Sequence, residues 1–110
     1  MTIDHQAMEE KAQEHFKGGE GTVYVTAAGE PAHKIMRVRI PQHASIGMHV
    51  HEADFEVFRV MQGTAHVTMN DGTEEVLTAG QAHYCPKGQG HTTRNEDAED
   101  VVLFAVIAAE

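Results

Sequence analysis

The sequence predicts an all-β domain, a sandwich or barrel of eight or nine short strands behind a short N-terminal helix. Three observations predict it. From Gly21 onward, apolar and polar residues alternate with a period of two, as strands with one buried face require. Turn signals break that alternation at short intervals: Gln62-Gly63, Asn70-Asp71-Gly72, Ala79-Gly80 and Pro86-Lys87-Gly88-Gln89-Gly90. A chain of 110 residues has room for one core only.

The elements follow in order. Residues 2–16 are rich in the helix formers Glu, Gln, Lys and Ala, and Thr2 or Asp4 can serve as N-cap. Ile3, Ala7, Met8 and Phe16 supply a ragged apolar face. This predicts a helix ending at Gly18-Gly19 that covers a sheet edge or a partner subunit. Residues 1–20 would then be a helical arm and 21–110 the β domain.

Residues 22–26 open the strands. In 34–40, Met36, Val38 and Ile40 share one face, with Arg37 and Arg39 on the other. Residues 41–45 connect to a strand carrying His49 and His51. In 56–61, Glu56, Phe58 and Val60 share a face, and in the next strand Ala65, Val67 and Met69 do, with His66 turned outward. Asn70-Asp71-Gly72 tolerates positive φ and predicts a tight hairpin into 73–78. Residues 81–85 and 91–95 follow, then an acidic loop at 96–100. Residues 101–108 are apolar on both faces, so one face packs on the core and a second subunit is expected against the other.

Eight basic and seventeen acidic residues give a net charge of −9, which argues against nucleic acid and against an anionic membrane surface. No apolar run is long enough to span a bilayer, and the N-terminus lacks the basic and apolar regions of a secretory signal. A single cysteine, Cys85, suits a reducing cytoplasm. No Ser/His/Asp pattern, phosphate-binding glycine loop or CxxC pair is present.

The chemistry gathers in Gly47-Met48-His49-Val50-His51-Glu52-Ala53-Asp54-Phe55-Glu56, with His91 forty residues beyond His51. On a strand, His49 and His51 point the same way with Cβ atoms about 6.5–7 Å apart, close enough to converge on one ion. Glu56 lies one short turn further on and can face the same interior. From this hairpin alone, a wet polar sheet face explains the same three residues equally well.

The wider pattern is more specific. The runs His49-x-His51-x4-Glu56-x6-Gly63 and Gly80-x5-Pro86-x-Gly88-x2-His91-x3-Asn95, separated by sixteen residues, resemble the two signature motifs of the cupin superfamily. One position departs: His43 stands where the family usually has glycine, six residues before the first histidine. The resemblance covers residues 21–110. It implies a double-stranded β-helix, or jelly roll, often assembled as a homodimer. It also implies metal-ligand roles for His49, His51, Glu56 and His91.

Three imidazoles and a carboxylate suit one divalent transition-metal ion (Mn, Fe, Co, Ni, Cu or Zn) better than Ca or Mg. Gly88, Gly90 and Pro86 would shape the turn before His91. Phe58, on the face of Glu56, lines a substrate pocket or is simply core. His83 and Cys85 share a face opposite Tyr84. If that face is inward, His83 is a pocket group or general base; otherwise it is a hydrogen-bonded core or surface histidine. Cys85 reads as a small buried hydrophobe.

The expected function is that of a metal-dependent enzyme on a small molecule, with dioxygenase chemistry favoured by the ligand set and the resemblance. Isomerase or lyase chemistry is the alternative, as is a non-catalytic module that binds a small ligand or a metal.

Overall fold

A computed structural model describes residues 1–110, which form ten strands in two facing antiparallel sheets. In chain order these are β1 (Lys11–Glu14), β2 (Thr22–Glu30), β3 (His33–Ile40), β4 (Ser45–Val50), β5 (Asp54–Gln62), β6 (Thr64–Met69), β7 (Glu74–Thr78), β8 (Ala82–Cys85), β9 (Gly90–Arg94) and β10 (Val101–Ala109). The larger sheet runs β1-β2-β3-β10-β5-β8 and the smaller β4-β9-β6-β7. Apart from β1–β2–β3 and the β6–β7 hairpin, successive strands change sheet at each connection, consistent with a jelly roll. No strand pair joins the two sheets, so they stack without closing into a barrel.

Alternation places the core between the sheets. Met36, Val38 and Ile40 of β3 are buried, and so are Phe58 and Val60 of β5, Ala65, Val67 and Met69 of β6, and Leu103 and Ala105 of β10. Arg37 and Arg39 face outward, where Arg39 stacks on Tyr24 at 4.1 Å. β10 lies between β3 and β5, pairing Ala105 with Met36 on one side and Phe58 on the other. The tight turn after β6 forms as expected, with Gly72 at φ 90° and the Asp71 carboxylate accepting from the Thr73 amide at 2.9 Å.

The N-terminal helix does not form. Residues His5–Ala7 make a single 3₁₀ turn capped by Asp4, and β1 then pairs along the edge of β2, Lys11 opposite Val25 through Glu14 opposite Thr22. The ragged apolar face offers a helix nothing continuous to bury, whereas edge pairing satisfies the backbone of both strands. Glu10 secures this arrangement: its carboxylate accepts from both Arg39 and Arg37 at 2.9–3.1 Å. The segment still covers a sheet edge, but as a strand. Next comes a compact turn, Phe16–Gly18, in which His15 and Lys17 adopt positive φ.

His43 also has positive φ, 68°, and its amide donates to the Asn95 carbonyl at 2.8 Å. The turn for which related motifs use glycine is therefore made here with a histidine under modest backbone strain.

Candidate metal centre

β4 carries His49, but not by simple alternation. Ile46 pairs with Thr93 and His49 with His91, so Gly47 and Met48 together oppose the single residue Thr92. This bulge inverts the parity of the strand. Ile46 and His49, three residues apart, consequently both face the interior. His51 lies just past β4, Glu56 on β5 and His91 on β9, so the four residues come from both sheets.

Their ligand atoms lie within 4.8 Å of one another, and the cluster can hold one metal ion. Glu56 Oε1 is 3.1 Å from His51 Nε2 and 2.9 Å from His91 Nε2, and those two nitrogens are 3.1 Å apart. His51, Glu56 and His91 are buried and His49 is half-buried.

The outer hydrogen bonds decide which ring nitrogens face inward. Carbonyls and carboxylates only accept, so each neighbouring imidazole nitrogen must donate. His49 Nδ1 donates to the Gly47 carbonyl at 2.8 Å, and His51 Nδ1 donates to the Asp54 carboxylate at 2.6 Å. His83 Nδ1 donates to Glu75 at 3.0 Å, which leaves His83 Nε2 as acceptor for His91 Nδ1 at 3.0 Å. With neutral rings, all three ligand histidines turn a bare Nε2 lone pair toward Glu56. Three lone pairs and a carboxylate facing one point form a donor set in need of a cation.

The electrostatics agree. Burial pushes His49 below the ordinary imidazole range. Burial also acts to raise Glu56, but when the facing Nε2 atoms carry protons in place of a metal, the hydrogen bonds from His51 and His91 outweigh it and hold the carboxyl at about 2. His51 is raised, chiefly by Glu56 and against its own burial. Glu56 is thus an anion at any ordinary pH.

Three members of the cluster, His49, Glu56 and His91, line a cavity of about 140 Å³. Met36, Val38, Phe58 and Leu103 give it apolar walls, and Lys17 and Lys34 stand among its lining residues. Phe58, 1% exposed, therefore both lines the cavity and belongs to the core. His83 does not line it. It is fully buried behind His91, stacked on that ring with centroids 5.2 Å apart. Cys85 is buried, its thiol donates to the Gln89 carbonyl, and burial followed by the charge of Glu56 pushes it up to about 11. It is no nucleophile. His66 lies outside the site, 3.7 Å from Glu96.

Four residues of the site were not anticipated from sequence: Asp54, Glu75, Lys17 and Lys34. Asp54, three residues after His51, lay within reach of a spacing argument. The others depend on strand pairing and on the course of the N-terminal segment, which no local pattern records.

A family model described as "Cupin domain" matches residues 36–107. An oxalate-binding protein of Thermotoga maritima is 27% identical over 99 residues, 84% of this chain and 81% of the relative. Among solved structures, one described as a predicted oxalate decarboxylase, also from Thermotoga maritima, superposes with a TM-score of 0.92 at 22% identity over 100% of both chains. The cupin domain of Schizosaccharomyces pombe Cnp3 superposes at 0.79 with 18% identity, covering 99% of this chain and 74% of that one. The likeness to these two structures is one of fold.

Proposed function

Because the chain belongs to the cupin domain family, we propose that it holds one divalent transition-metal ion through His49, His51, Glu56 and His91 and acts on a small molecule admitted by the cavity. The observation that supports this most directly is the convergence of three Nε2 lone pairs and one carboxylate in a cluster of which three members line the cavity. When bound, a redox-active ion supplies oxygen chemistry and a redox-inert one supplies Lewis acidity. The protein's own contribution is orientation and exclusion of water. Asp54, His83 and the Gly47 carbonyl fix the rings, while Phe58, Val38 and Leu103 keep the approach apolar.

Dioxygenase-type oxidation is the catalytic form we favour, with isomerase or lyase chemistry as its redox-inert counterpart. A non-catalytic module that retains a small anion is the second reading. It is favoured by the oxalate-binding relative, which aligns with most of this chain. We also place the protein in the cytoplasm as a homodimer. The unpaired buried thiol supports the first, and the apolar outer face of β10, where Phe104 is 42% exposed, supports the second.

Elemental analysis of untagged protein is the test. Near-stoichiometric transition metal is expected in the wild type, with loss in the His49→Ala/His91→Ala variant. No metal uptake after exposure to each candidate ion would sink the proposal. Oxygen consumption by loaded protein offered oxalate and other small acids then separates an oxygenase from a lyase or a binder.

A further inference from the structure

We propose that the cavity selects small dicarboxylates, with one carboxylate at the metal centre and the other held by Lys34 and Lys17 at the mouth. The proposal rests on the metal-centre reading above and adds the residues that would choose the ligand. Its first support is register. Ile107 of β10 pairs with Lys34 on one side and Glu56 on the other, so Lys34, Ile107 and Glu56 form one rung across the sheet. All three line the cavity. Two strand spacings put the Lys34 backbone roughly 10 Å from that of Glu56. A lysine stem and a short diacid can bridge such a gap.

The opposite wall supplies Lys17. It sits in the Phe16–Gly18 turn, which docks on the β4 bulge where Gly19 and Gly47 let the two backbones touch. A Cβ on Gly47 would collide with the Lys17 carbonyl and lie 2.6 Å from the Gly19 amide nitrogen. The lysine backbone is thereby held against the strand that carries His49.

Charge is the second support. Seventeen acidic residues face eight basic ones in this chain, yet neither Lys17 nor Lys34 has a carboxylate within 4.0 Å. Arg37, Arg39 and Arg94 are all paired, while Arg59 and Lys11 are not; what distinguishes Lys17 and Lys34 is that both line the cavity. Glu56 is the only acidic residue lining the cavity, and it is committed to the metal cluster. A divalent ion, one glutamate and two lysines leave three net positive charges along one short channel. A dianion offsets most of that charge, and its apolar middle meets Phe58 and Ile107.

The experiment is calorimetric titration of metal-loaded, full-length protein with malonate and with monomethyl malonate, similar in shape but different in charge. Wild type is expected to bind malonate about tenfold or more tightly than the half-ester, the size of one charge-assisted hydrogen bond. Lys17→Met/Lys34→Met should abolish that preference without changing metal content, Lys34→Arg should retain it, and Lys11→Met, remote from the cavity on β1, should leave it untouched. Equal affinity of wild type for the two ligands, or an undiminished preference in the double methionine variant, would overturn the proposal. Metal uptake is measured separately on every variant, so failure of the metal centre itself appears as a wild type that takes up no ion.

Discussion

His91 shows how much of the site is decided by atoms that never approach the ligand. Its Nε2 is bare because its Nδ1–H is committed to His83, and His83 can accept only because its own proton goes to Glu75. Removing the middle of that chain should loosen the metal and leave the fold in place. In His83→Phe, metal affinity is expected to fall about 10–100-fold, as measured by competition with a chromophoric chelator. In zinc-loaded protein, the His91 Nδ1–H proton should exchange slowly with solvent in the wild type and faster in the variant. Unchanged affinity together with unchanged exchange of that proton would mark His83 as packing only. The four inner residues were legible through the resemblance of their two motifs to the cupin signatures; alternation alone left His49, His51 and Glu56 open to a wet sheet face and said nothing of His91. Glu75 was not legible, since its role exists only once β7 and β8 lie in facing sheets.

At the scale of elements, nine of the ten strands follow from alternation and turns. The failures lie where a pairing partner overrides a local preference. Residues 11–14 have helical composition and become β1 because the edge of β2 is open beside them and Glu10 finds Arg37 and Arg39. The β4 bulge escaped for a related reason. A period-two reading from His49 to His51 is self-consistent, and only the burial of Ile46, out of phase with His49, betrays the additional residue. Deleting Met48 should restore an unbroken β4–β9 ladder in which His49, now two residues from Ile46 and still opposite His91, keeps facing the interior. The expected result is a protein with the same far-ultraviolet spectrum that still takes up metal, with any loss smaller than the roughly tenfold effect of removing a hydrogen-bond partner of a ligand. Loss of metal binding from that variant would show that the bulge itself, and not alternation from Ile46, aims the histidine.

For the molecule as a whole, the outer face of the larger sheet is the surface that invites a partner. Val57 pairs with Tyr84 on one side and Val106 on the other, and one rung away Phe104 lies between Arg37 and Arg59. Val57, Tyr84 and Phe104 are each more than one-third exposed. That patch, on the face away from the metal centre, is where a second copy would sit. Light scattering should give twice the chain mass for wild type, and Phe104→Asp should shift it toward the monomer with metal content preserved. A monomeric wild type at micromolar concentration would remove the dimer from the account.

The central position of β10 has a consequence for synthesis. Until residues 101–109 leave the ribosome, β3 and β5 each present an unpaired edge, and the rung joining Lys34 to Glu56 lacks its middle member. Nascent chains up to residue 100 thus hold both halves of the binding apparatus with no strand to unite them. Most of the sheet is closed by contacts between residues far apart in sequence, which makes such a topology slow to assemble and exposed to edge-to-edge association while it waits. Translation must finish this wall before the protein can recognise anything.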